Sequence, residues 1–241
     1  MTAAVIQTRA LQRLDEDSSA PVYWTPAEIL AAINEGQRFF CFLTLCLQKT
    51  VNLALTGGTV FYSMLSQSAF RDWLLPLNIR VAGGAKVEPA RFDALDGRNP
   101  SWQAATGAPQ RYGHLGFDFI ALDPHPSGSG TTLEFTYAHS PAVISTTTST
   151  PEIEEEDHPA LIDWVRFRLR AKEGGQEFQK GMQYFERFME TAKKRADYVR
   201  QRNIAGRYDN VPPELERFDV SRLKALSKPR SRPWIKGAQN G

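Results

Sequence analysis

Residues 176–202 read QEFQKGMQYFERFMETAKKRADYVRQR, and apolar side chains recur through them in alternating steps of four and three. Phe178, Met182, Phe185, Met189, Ala192, Ala196 and Val199 fall on one stripe, while Glu, Lys, Arg and Gln fill most of the other positions. That period marks an amphipathic helix buried along its whole length. At 1.5 Å per residue it runs about 40 Å. A stripe that long needs apolar partners, and two other segments offer them. One follows Thr25-Pro26-Ala27-Glu28, where Thr25 caps, Pro26 suits the first helical position and Glu28 completes a capping box. It is expected to run to about Gln48, burying Ile29, Ile33, Phe40 and Leu47. The other begins near His158-Pro159 and carries Leu161, Trp164, Val165 and Leu169 to Glu173. Gly174-Gly175 then turns it into the long helix, so these two pack antiparallel.

Between the helices the period switches to two. Val51–Leu55 and Val60–Met64 flank Thr56-Gly57-Gly58-Thr59, which predicts a β-hairpin. Gly116–Leu122 and Thr132–Tyr137 flank a Pro/Gly/Ser-rich connector and predict a second hairpin. Leu77–Val81 is a further strand, Ala90–Leu95 a short helical turn, and Ala3–Leu14 a short helix. The expected fold class is α+β: an antiparallel helical bundle with an inserted β-rich domain and an extended C-terminal tail. The corresponding division is 1–21 as an N-terminal extension, 22–49 and 151–205 as the bundle, 50–150 as the insertion, and 206–241 as a basic arm.

The composition is that of a globular protein, 41% hydrophobic and 23% charged. A net charge of +2 conceals a segregation. From Arg217 onward there are seven basic residues against Asp219 alone, so the tail carries +6 and the body before it −4. Such a tail meets an acidic partner that the body does not. Within it Arg222, Lys224, Lys228, Arg230, Arg232 and Lys236 interleave with Leu223, Leu226 and Trp234, apolar residues that a purely solvating tail does not need. An arm that folds onto a protein partner, with Trp234 as its anchor, accounts for both sets. The alternative is a DNA-binding protein that uses the same tail electrostatically.

Chemistry is hard to find. No glycine loop carries the lysine of a phosphate cradle. His114, His125, His139 and His158 are scattered, and Glu155-x-x-His158 lacks the further ligands of a di-iron site. Gly128-Ser129-Gly130 lacks the strand-to-helix context of a nucleophile elbow. The carboxylates of Glu152–Asp157 precede a helix and complement its dipole. Cys41 and Cys46, five apart on the expected helix, point to different faces and form no disulfide there. The reading is no enzyme, no cofactor and no metal. Phe39–Leu47 is too short to span a bilayer, and Asp15–Asp17 interrupt any signal-like start, so synthesis in the cytosol is expected. A hydrolase hidden in the β region would need carboxylates or histidines converging in a pocket.

The order of short motifs along the chain resembles a known family. Tyr23-Trp24-Thr25-Pro26-Ala27-Glu28-Ile29-Leu30 with Ile33-Asn34-Glu35-Gly36-Gln37-Arg38 is similar to the first helix of tailed-phage head-to-tail adaptor proteins. The resemblance continues through Arg111-Tyr112-Gly113, Thr150-Pro151-Glu152-Ile153, His158-Pro159-Ala160-Leu161 and Lys172-Glu173-Gly174-Gly175-Gln176-Glu177-Phe178 to Arg207-Tyr208-Asp209. It covers roughly Val22–Pro213 and leaves out the first twenty residues and the tail. It implies a helical core with an inserted β domain, assembled as a ring, commonly of twelve copies, between the portal protein and a downstream tail or nozzle protein. It also implies no catalysis, a virion location in the neck, and a channel through which DNA passes without specific binding. In similar adaptors a C-terminal arm docks between portal subunits. Here Arg222, Lys224, Lys228, Arg230, Arg232, Trp234 and Lys236 occupy that position.

Overall fold

The computed structural model describes residues 1–14, 23–116 and 118–205. The long helix is unbroken: α5 spans Gly175–Ala205, with Phe185, Phe188, Met189, Ala192 and Val199 buried. It packs along α4 (His158–Glu173) after a turn in which Gly174 and Gly175 both take positive φ. Arg170 meets Glu177, Trp164 meets Phe188 and Asp157 meets Arg195, a sequence of pairs that runs antiparallel.

Helix α2 (Pro26–Thr44) lies across both. Its start is the capping box read from the sequence, with Glu28 N–H donating to Thr25 Oγ1 and Thr25 N–H donating to Glu28 Oε2. Gly36 is where α2 meets α4 most closely. A Cβ there would lie 2.6 Å from Trp164 Cδ1, so glycine admits the indole. Helix α1 (Ala3–Gln12) buries Ala3, Ile6, Ala10 and Leu11 in the same core. Its first N–H groups, which no helical carbonyl reaches, donate to Ser149 and Thr147 carbonyls at 2.8 Å.

Glu28 also carries a pH signature. Lys172, which bonds its carboxylate, and the Thr25 N–H hold Glu28 down at about 2 from an ordinary 4.5. A carboxyl depressed by folding stabilises fully above its unfolded value, and that contribution is lost as pH falls through the folded one. Side-chain NMR titration is therefore expected to give a Glu28 midpoint near pH 2, and Lys172→Met to move it toward the ordinary glutamate range.

The remaining strands correct the expected architecture. There is no helical bundle bearing a β insertion of local hairpins. Among the described residues seven strands form one curled, mixed sheet in the order β1-β7-β3-β4-β5-β6-β2. They are β1 (Gln48–Ala54), β2 (Phe61–Ser63), β3 (Trp73–Val81), β4 (Lys86–Pro89), β5 (Arg111–Leu115), β6 (Phe119–Asp123) and β7 (Thr132–His139), with α3 (Phe92–Arg98) between β4 and β5. Neither expected hairpin forms. β1 pairs with β7 and β2 with β6, so the strands flanking Gly57-Gly58 lie at opposite edges of the sheet. β6 pairs with β5 and β2, never with β7.

The physical reason lies in curvature. A flat sheet of seven strands would separate its edges by about 29 Å, whereas the connection from Ala54 to Phe61 reaches about 24 Å at full stretch. The sheet therefore curls until its edges approach, and Tyr62 Oη donates to Thr56 O at 3.0 Å across the gap. Gly57 lies against Gly128, where a Cβ would come within 2.8 Å of the opposing Cα, closing the same end. Inside the curl, Leu53, Tyr62, Phe70, Ile79, Tyr112, Ile120, Leu133, Phe135 and Tyr137 make a core of their own. Helices and sheet are thus two halves of comparable weight, joined where Leu45, Leu77 and Ala138 pack together.

The joint corrects two further expectations. α2 stops at Thr44 rather than near Gln48, because Leu45 adopts a left-handed conformation (φ 53°). That turn folds Cys46 back along the helix it has just left. Its Sγ lies 4.0 Å from Cys41 Sγ, so the two thiols share one face instead of two.

Candidate assembly surfaces

The acidic run before α4 does more than complement a dipole. Asp157 Oδ2 sits 2.6 Å from Arg195 Nε, Glu156 reaches the same guanidinium at 3.5 Å, and Glu155 meets the N-terminal ammonium at 3.3 Å. Burial pushes the Asp157 carboxyl up, and Arg195 opposes that shift. Glu152 accepts from Ala142 N–H at 2.9 Å and lies 3.9 Å from His139, which also faces Asp72 at 3.5 Å. Lys49 completes the chain with a 2.7 Å bond to Asp72. These groups tie the segment before α4 to α5, to the N-terminus and, through Glu152, to the end of β7.

Two amides on α2, one turn apart, fasten the segment that leads from β7 back to α4. Asn34 accepts from Ile144 N–H at 2.8 Å and donates to Ile144 O at 2.9 Å, and Gln37 donates to Ala142 O at 2.8 Å. The sequence names both within the adaptor-like motif but does not show this fastening role. Polar residues at an i, i+3 spacing on an otherwise apolar face were the available signal.

The histidines do not converge. His158 is held between the N-terminus and Ile153 O, His125 bonds Pro126 O, His139 faces Asp72 and Glu152, and His114 stacks on Trp73. Among the described residues no group of three or more His, Cys, Asp or Glu is placed to hold a metal ion. No helix among them is long and apolar enough to cross a membrane.

Surfaces suited to contact are present instead. An open groove of about 650 Å³ beside α2 is lined by Phe39, Phe42 and Leu74 together with Glu35 and Arg38. Its carboxylate is engaged by Arg168 at 2.7 Å, so it offers an apolar seat without a free acid–base pair. At one end of the sheet Leu115 and Phe119, directly opposed on β5 and β6, are exposed together with Leu65. Leu65 N–H is tied by Asp118 Oδ1 at 2.8 Å. The sequence-assigned arm residues, Arg222, Lys224, Lys228, Arg230, Arg232, Trp234 and Lys236, lie outside the described residues.

A protein built of a packed helical half and a curled sheet is matched by the family model for the SU10 adaptor protein over residues 1–211. The chain belongs to the SU10 adaptor protein family. This is a phage head-tail adaptor family, so the protein is a structural component of a tailed bacteriophage, acting in virion assembly rather than in catalysis. No curated protein matches the chain. The adaptor match begins at residue 1, earlier than the motif resemblance, and so takes in α1, whose apolar side is fully buried in the helical core. It stops before the basic tail.

Proposed function

We propose that this adaptor forms the neck ring that joins the portal to the tail and continues the DNA channel between them. The observation that carries the reading is the adaptor-family match across residues 1–211. The charge distribution supports it, with a +6 tail from Arg217 onward and a body of −4. Residues 206–241 act as an arm. In it Arg222, Lys224, Lys228, Arg230, Arg232 and Lys236 pair with portal carboxylates, and Trp234 fills an apolar pocket as the anchor. The exposed apolar end of the sheet, with Leu115 and Phe119, faces the downstream tail or nozzle protein. Copies stand side by side in a ring, twelve to match a twelve-fold portal, and the anionic body lets DNA slide without the Lys/Arg phosphate contacts that would hold it.

The basic tail also favours a second reading, DNA binding, and one experiment separates the two. The purified full-length chain is offered portal-containing particles and, separately, duplex DNA across a salt titration. The adaptor reading expects joining to the particles and weak duplex binding. Submicromolar duplex affinity with a steep salt slope, without joining, supports the DNA reading instead.

A further inference from the structure

The fold brings two thiols together at the point where the helical half hands over to the sheet. Cys41 is buried in the last turn of α2, and Cys46 is half-buried just beyond its end. The left-handed Leu45 between them sets the Sγ atoms 4.0 Å apart. A disulfide needs about 2.05 Å, so the two sulfurs have about 2 Å left to close from their 4.0 Å separation as thiols. Both cysteines are free.

The surroundings make the pair unequal. Cys46 N–H is fixed by Thr44 Oγ1 at 3.3 Å, and the same threonine is locked to Phe40 O at 2.8 Å. The hydrogen bond shared with Cys41 and the positive charge of Arg195 favour the Cys46 thiolate and pull its pKa down against the effect of burial. The hydrogen bond to Cys46 and burial push Cys41 up. Such an asymmetry, a half-buried thiol of lowered pKa beside a fully buried partner, distinguishes an attacking cysteine from a resolving one.

We propose that Cys41 and Cys46 form a redox-active dithiol that closes to an intramolecular disulfide by exchange with a small-molecule disulfide. The Cys46 thiolate attacks one sulfur of the small disulfide, forming a mixed disulfide and releasing one small thiolate. Cys41 gives up its proton, and its thiolate attacks Cys46 Sγ. The Cys41–Cys46 bond forms and the second small thiolate leaves. The protein is oxidised by two electrons and the reagent is reduced to two thiols.

The bond ties the end of α2 to Leu45–Leu47, the segment that leads into β1 and whose Leu47 O accepts from His139 N–H at 3.0 Å. Oxidation therefore stiffens the joint between the two halves. Its place in the particle's life rests on the adaptor reading. The chain is made and assembled in a reducing cytosol, and a released virion meets oxidising surroundings, so the joint hardens after assembly.

The test uses the purified, folded, full-length chain with oxidised glutathione, followed by intact-mass analysis and thiol alkylation. The native protein is expected to lose both alkylatable thiols and two hydrogens, and its Tm to rise by roughly 4–8 °C. Cys41→Ser is expected to stop at a stable glutathione adduct on Cys46, while Cys46→Ser stays largely unreacted. Two free thiols persisting in the native chain under conditions that oxidise the unfolded one would overturn the proposal, as would equal reactivity of the two serine variants. An oxidised form with unchanged or lowered Tm contradicts the stiffening. None of these readouts requires a portal, so failure here is distinguishable from failure of the adaptor reading.

Discussion

Phe188→Ala is expected to destabilise the protein by about 3–5 kcal/mol, which for a chain of this length lowers Tm by roughly 6–20 °C. Phe188 is fully buried where α2, α4 and α5 meet. Its ring lies 4.9 Å from Trp164, stacks on Phe39 at 5.9 Å and meets Phe40 edge-on at 5.9 Å. Truncation removes the transfer free energy of the ring, leaves a cavity beneath an indole that Gly36 already holds close, and deletes three aromatic pairs. Phe188→Leu keeps much of the volume and is expected to cost well under half as much. Lys193→Ala, on the exposed side of the same helix, is expected to stay within about 0.5 kcal/mol. Chemical and thermal denaturation measure all three. A loss below about 1 kcal/mol for the alanine variant would mean that α5 is not pinned at this point.

Deleting everything after Glu216 is expected to abolish joining to portal-containing particles while leaving Tm unchanged. The described cores already draw on residues spread from Ala3 to Val199. The deleted stretch carries seven basic residues and Trp234. Two milder variants divide the effect. Trp234→Ala removes a candidate anchor and is expected to weaken association by about a hundredfold or more, in the range of interface hot spots. Replacing Arg222, Lys224 and Lys228 by Gln is expected to slow association and flatten its salt dependence. Normal joining by the truncated chain would remove the arm from the account.

What could be read in advance divides cleanly by range. Thr25 and Glu28 are three residues apart, so the cap they build is local and the sequence announces it. The four-three stripe of α5 is equally self-contained. The strands were visible as alternation, but their partners were not, because pairing β1 with β7 or β2 with β6 is a choice among distant segments. Gly57-Gly58 looked like a hairpin turn for that reason, although it joins opposite edges of a curled sheet. Leu45 gave no warning of a left-handed turn, since leucine seldom takes one, and so the meeting of Cys41 and Cys46 was hidden. The acidic run was noticed for its charge, while its partners, Arg195 and the N-terminus, are brought there by tertiary packing. The arm residues are legible as charge segregation with interleaved apolar side chains, and they fall outside the described residues.

The most direct measurement for the neck-adaptor account is the native mass of the full-length protein alone and after mixing with purified portal. The account predicts a small, non-ring species in isolation and a discrete complex with the portal, containing as many adaptor copies as portal subunits. A protein that leaves the portal mass unchanged at saturating concentration, with its arm intact, would contradict it.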